Sequence, residues 1–373
     1  MNRKQFIWPA AAILLGALVS INPFYRPDLT LQIGIAAWFA DLGVVVLLSV
    51  NPATMRFGVL IAGLFLAVPC FVREIPLARA ALMCLMAFPL LIAAIPFLSP
   101  PPATFRERMS YLFTWFGTRE VKRRTRAFEL KSLLHLIAAT LVFSTAMVAV
   151  KAVSAADGWA VARLLSGGIM IMAAAEMITA GHNFTASFIG VTAPALMQSP
   201  FLSTSLGEFW TKRWNPAASS LVFRACLFRP LSRRGPVLAL WAAFFASAVA
   251  HALLPYMAMG KLGISLLCGA FFLAQPPLIA AERWLQVRRW KSGAARVWTL
   301  AALTIASPLF VEPLLQLLEP SWGASNELLL PTLMVLGFVI GLNVFFLLGA
   351  LAACPQVMPA GGTVSIRAAV PRR

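Results

Sequence analysis

Long apolar runs separated by short polar stretches fill the chain. They fall at 6–21, 31–50, 56–72, 78–98, 132–150, 159–181, 236–258, 262–281, 297–318 and 327–350. Most approach or exceed the ~18–20 residues a helix needs to cross a bilayer. None shows the alternating ~10-residue segments of a transmembrane barrel. The pattern predicts an all-α, polytopic helical membrane protein with about ten transmembrane helices, in one membrane domain over 1–373. The first run, "MNRKQFIWPAAAILLGALVS", has the look of a signal sequence. Another span follows almost at once, so it reads as an uncleaved first helix.

Two longer segments interrupt the spans, and a tail at 351–373 ends the chain. In 99–131, the aromatics Tyr111, Phe113, Trp115 and Phe116 precede Arg119, Lys122, Arg123, Arg124 and Arg126. That order suits an amphipathic helix lying in the membrane interface. The second segment, 182–235, is too long for a simple connection. Its residues 183–202 are moderately apolar but broken by Pro194 and Pro200, which favours a re-entrant or interfacial path. A helix is expected from Leu206 to Trp214, with Trp210 and Trp214 one turn apart on one face. Pro216 ends it, and a second helix carrying Arg224 and Arg229 runs from there to about Phe228.

Composition agrees with the membrane reading: 60% of residues are hydrophobic and 12% charged. The formal net charge is +18, and its placement argues against nucleic acid. With the N-terminus inside, the outer side holds only Arg26, Arg73, Arg79, Lys151 and Lys261, and Arg163 lies within a span. The remaining cations fall on the cytoplasmic side, the positive-inside bias expected of a chain with both termini cytoplasmic. Anionic membrane lipids, not nucleic acid, are the partners this charge implies. Five cysteines show neither CxxC nor metal-ligand spacing.

Candidate chemistry is sparse. The three histidines, His135, His182 and His251, are too few for the multi-histidine di-iron sites of membrane oxidases. HExxH, a phosphate-binding glycine loop and GxSxG are all missing. No metal site and no cofactor are expected. His251, in "LWAAFFASAVAHALLPYM", stands in an otherwise uncharged span, where an ionisable group marks function by default. An imidazole there either serves as a general base or hydrogen-bonds a neighbouring helix. His182, at the inner end of a span, is either interfacial or lines a substrate entrance. His135, near an inner boundary, reads as a snorkelling or hydrogen-bonded residue. Asn215 before Pro216 suits a helix N-cap followed by a first-turn proline. Glu208, Lys212 and Arg213 also fit an ordinary interfacial face.

The stretch "SLGEFWTKRWN", followed by the isolated His251, resembles the membrane-bound O-acyltransferase superfamily, and within it the wax-synthase-like branch. That branch carries Phe-Trp-x-x-Arg-Trp-(His or Asn) after a Ser-Leu-x-Glu/Asp lead, then a histidine in the next apolar helix. Trp210, Arg213, Trp214 and Asn215 match this block position by position, and the resemblance covers about 199–256. "TKRW" and "ALLPY" depart from the branch's usual residues, which leaves the acceptor open. The resemblance implies transfer of an acyl group from acyl-CoA, as co-substrate, to the hydroxyl of a lipidic alcohol. It further implies that His251 is catalytic and Asn215 its polar partner. Lys212, Arg213, Arg224 and Arg229 would meet the phosphates of acyl-CoA, with Trp210 and Trp214 anchoring the rim.

A lipid or small-molecule transporter is the competing class. It rests on Asp41, Arg163, Glu176 and Glu312 within spans, for which structural pairing between helices is the simpler expectation. The two halves show no inverted repeat of the kind many transporters carry.

Overall fold

A computed structural model describes residues 29–50, 54–73, 75–94, 122–123, 128–154, 160–189, 191–192, 197–216 and 228–322. The spans expected at 6–21 and 327–350, most of the 99–131 segment and the C-terminal tail lie outside these residues. Twelve α-helical elements are described: α1 Leu31–Val50, α2 Met55–Phe65, α3 Pro76–Ala94, α4 Leu130–Ser154, α5 Ala160–Ile189, α6 Leu206–Glu208, α7 Arg229–Ser232, α8 Pro236–Met259, α9 Leu262–Leu273, α10 Gln275–Trp284, α11 Ser292–Ala306 and α12 Pro308–Leu318. The described extended structure is slight: Lys122–Arg123 pairs antiparallel with Val191–Thr192, and isolated bridges join Leu29 to Val72 and Met197 to Trp214.

Among the described residues, five helical stretches are long and apolar enough to cross a membrane: Leu31–Leu48, Leu130–Ser154, Ala160–Phe188, Pro236–Met259 and Leu262–Trp284. Ser292–Ala306 and Pro308–Leu318 make a sixth if taken as one broken span, bent by 52°. Together they support an integral membrane protein. The single span expected at 297–318 is therefore two helices. Pro308 has no N–H for the carbonyl of Thr304, and Ser307 bonds that carbonyl instead at 3.2 Å. The runs at 56–72 and 78–98 yield shorter apolar helices, Arg56–Phe71 and Pro76–Ala87.

Three apolar clusters organise the bundle. Trp38, Val72, Leu82 and Met86 gather α1–α3 against Met257 of α8. Phe143, Met147, Met170 and Met177 join α4 and α5 to Val311 and Leu315 of α12. The third cluster encloses Leu206 with Phe244 and Ala248 of α8, Phe271 and Phe272 of α9, Ile279 of α10, and Ala302 and Ala306 of α11. Outside them, Phe39, Leu47, Leu141, Leu165, Phe245, Leu266 and Ile305 are exposed, as lipid-facing positions are.

The charges within the spans divide unevenly. Arg163 of α5 pairs with both Glu312 of α12 and Glu319 just after it. His135 Nε2 of α4 lies 3.2 Å from Glu176 of α5. Asp41 departs from the expectation of pairing: it is fully buried, and among the described residues neither carboxylate oxygen has a hydrogen-bond partner. α5 also runs eight residues past the expected end at 181, to Ile189. His182 consequently sits inside a helix at 5% exposure rather than at an interface.

Candidate active site

The odd polar block begins as an α-turn and continues as a π-turn. Ser205 N-caps α6, its hydroxyl accepting the Glu208 N–H at 3.0 Å. Glu208, three residues after the cap, reaches back as in a capping box, but to the residue before the cap. It accepts the Thr204 N–H at 2.9 Å and the Thr204 hydroxyl at 2.8 Å. Phe209–Arg213 then winds as a π-helix, closed by Trp214 N–H donating to the Phe209 carbonyl at 2.8 Å. One extra residue per turn is a feature π-bulges often bring to functional sites.

This register overturns the expected pairing of the two tryptophans. Trp214 stacks on Phe209, five residues back, with centroids 5.5 Å apart and planes at 16°. Trp210 turns the other way, into the bundle. Its ring meets Phe244 and Phe272, each at 5.7 Å, and Phe271 at 6.1 Å. Its indole N–H donates to Gln275 Oε1 at 3.0 Å, and the Gln275 amide donates to the Phe271 carbonyl at 3.0 Å. Gln275 is fully buried at the start of α10.

The π spacing also brings Arg213 over Glu208. Arg213 Nε donates to Glu208 at 2.8 Å, and Nη1 to the carbonyls of Gln198 and Ser199 at 3.1 and 3.3 Å. Burial works to raise the Glu208 pKa. The Thr204 N–H, the Arg213 guanidinium and the Thr204 hydroxyl outweigh it and hold the carboxyl at about 2. Asn215 follows with φ 42°, a left-handed conformation that asparagine tolerates better than most residues. Its backbone N–H faces Met197 Sδ at 3.4 Å. Lys212 is exposed, as is Arg229 at the start of α7. Arg224 lies outside the described residues.

His251 sits in the second half of α8. Its Nδ1 lies 2.8 Å from the Ser247 carbonyl oxygen and 3.3 Å from the Ser247 hydroxyl. A carbonyl can only accept, so Nδ1 carries the proton and the lone pair falls on Nε2. Pro255, inside the same helix, has no N–H for the His251 carbonyl one turn earlier. The imidazole lies against Phe272, centroids 4.1 Å apart, with Phe310 at 6.1 Å. Phe272 is thus shared: Trp210 touches it from one side and His251 from another. Among the described ring contacts, the polar block reaches His251 through Trp210, most directly by way of Phe272 and also by way of Phe271 and Phe310.

Three supporting residues escaped the sequence reading. Glu282 sits just beyond the run at 262–281, where polarity is easily put down to a span terminus, and Gln275 is a lone amide inside that run. The "QPP" at 275–277 was the available signal for a helix break. Ser247 lies four residues before His251, the spacing at which a helical side chain meets a backbone carbonyl.

Residues 193–274 match the family model of the membrane bound O-acyl transferase family. The match supports an acyltransferase of that family. It takes in the polar block, α8 with His251, and α9 with Phe272. Among curated proteins, none matches the chain.

Proposed function

We propose that the protein is a membrane O-acyltransferase of wax-synthase-like type, moving a fatty acyl group from acyl-CoA to the hydroxyl of a lipidic alcohol. The observation that carries this reading is the Trp210–Phe272–His251 contact, which joins the two halves of the family block in one aromatic cluster. His251 Nε2 takes the proton of the alcohol as its oxygen attacks the thioester carbonyl. The tetrahedral intermediate collapses with loss of the CoA thiolate, which receives that proton back from the imidazolium. An ester and free CoA result. The Ser247 carbonyl, fixing the proton on Nδ1, keeps Nε2 the basic nitrogen. Asn215 supplies an amide that orients a reactant or stabilises charge on the carbonyl oxygen.

Lys212, Arg224 and Arg229 meet the phosphates of CoA from the cytoplasmic side, where both termini also lie. Arg213 spends Nε and Nη1 on the turn itself, so its share in phosphate binding falls to Nη2. Trp210 and Trp214 hold the rim. In this reading His182, which is buried in α5, lines the substrate path.

Labelled palmitoyl-CoA and a panel of lipid alcohols, supplied to membranes containing wild type or His251→Ala at matched levels, test the proposal. Labelled ester in the wild type and none in the variant is the expected result. Equal product in both removes His251 from the chemistry, and substrate flux without ester replaces the reading with transport.

A further inference from the structure

We infer that Glu282 is a positioning residue for the acyl transfer proposed above, on which reading this inference rests. Glu282 belongs to α10, beyond the residues that match the family. It is buried at 2% exposure. Its carboxylate accepts the Leu206 N–H at 2.5 Å. This amide opens the turn that carries the polar block, where no preceding helical carbonyl satisfies it. A charged acceptor there makes the stronger class of hydrogen bond. The Arg288 guanidinium lies alongside Gly207.

The clamp has consequences along the turn. Leu206, fully buried, cannot slide while its amide is held. With that end fixed, the switch from α to π winding sets where Trp210 points, four residues later. Trp210 points at Gln275 and Phe272, and Phe272 carries the other contact to His251. Glu282, Gln275 and Phe272 all come from the continuous stretch α9–α10. One stretch therefore holds the start of the turn, its tryptophan and the face of the imidazole. Glu282 sets the block against the histidine without touching a reactant. A shift of ~1 Å at such a site costs about 10²-fold in rate.

The test uses the full chain in nanodiscs, with Glu282→Ala and Glu282→Gln. Hydrogen exchange of peptides covering 200–216 reads the clamp directly. The kcat and KM for palmitoyl-CoA, with an alcohol that the wild type esterifies, read its effect. Glutamine keeps one acceptor oxygen at the same reach. The alanine variant is expected to exchange faster at 203–215 and to lose about 10-fold or more in kcat, with KM within about 2-fold. Glutamine should restore most of both. If alanine is not recovered folded, Glu282→Asp, which withdraws the oxygens by one methylene, takes its place and should lower kcat below the glutamine variant. Unchanged exchange, or faster exchange with full kcat, overturns the inference and leaves acyl transfer standing. A wild type that forms no ester with any alcohol overturns the acyl-transfer reading itself, whatever the exchange shows.

Discussion

The His251 imidazole and the Phe272 ring lie with centroids 4.1 Å apart and planes inclined by 34°. Phe272 reaches that place because Gly269, one turn earlier in α9, has no side chain. A Cβ at Gly269 would stand 3.1 Å from the Ala248 carbonyl oxygen and 3.3 Å from the Ala252 Cβ. Small residues on both helices let α8 and α9 approach closely, as membrane helices do when packing drives association.

Substitution at Gly269 should therefore act on both stability and the site. Gly269→Ala must displace backbone and is expected to cost about 1–3 kcal/mol, the usual range for overpacking. Gly269→Leu should separate the helices and remove ester formation. Thermal unfolding in detergent and ester yield per folded protein measure the two effects. A fully active leucine variant would show that the α8–α9 approach does not set the site.

Asn215 holds two candidate duties that a pair of variants separates. Its φ of 42° suits glycine without strain, whereas alanine there costs about 1–2 kcal/mol. Asn215→Gly should unfold like the wild type yet lose ester formation, because the backbone survives and the amide does not. Asn215→Ala should lose both stability and activity. Full activity in the glycine variant would reduce Asn215 to a turn residue.

How far the sequence disclosed this arrangement depends on what each signal reports. Hydropathy located α1, α4, α5, α8 and α9 because apolar length is a direct reading of a span. It merged α11 with α12, since Pro308 breaks a helix without lowering its apolarity, whereas α9 and α10 do make up one candidate span where the run at 262–281 is expected. The resemblance named Trp210 and His251 together, but nothing local revealed that Phe272 joins them. The π-turn was illegible for a different reason. Helical periodicity assumes a constant register, and one inserted residue sends Trp214 to Phe209 rather than to the side of Trp210. Glu282 was hidden because its partner amide, that of Leu206, lies 76 residues away in sequence, a separation that no local pattern reports.

The Glu208–Arg213 bond supplies a pH signature. The Glu208 carboxyl is held at about 2 against its ordinary 4.5. A depressed folded-state value means that the stabilisation is fully present above about pH 4.5 and fades as pH falls towards 2. Wild type should then be more stable than Glu208→Gln at pH 6, with the gap narrowing through that acidic window. Unfolding midpoints across the pH range provide the measurement. A gap that stays constant down to pH 2 would show that the charge of Glu208 contributes nothing.

Arg163 and Asp41 should respond to substitution in opposite directions. Arg163 neutralises Glu312 and Glu319 together, so Arg163→Ala leaves two carboxylates without their cation. The side chains are partly exposed, 18% for Arg163 and 27% and 39% for its partners. The expected loss is accordingly about 1–3 kcal/mol, below the ~3–5 of a fully buried pair. Glu312→Gln in the Arg163→Ala background should recover part of it. Asp41 is buried with neither oxygen bonded among the described residues, and a buried polar group left without a hydrogen bond costs about 1–3 kcal/mol. Asp41→Leu should raise the unfolding temperature, and neither change should abolish ester formation per folded protein. Loss of stability on replacing Asp41 would show that its carboxyl is engaged in the membrane after all. Loss of substrate flux on replacing Arg163, with ester formation intact, would reopen the reading of these charges as a transport path.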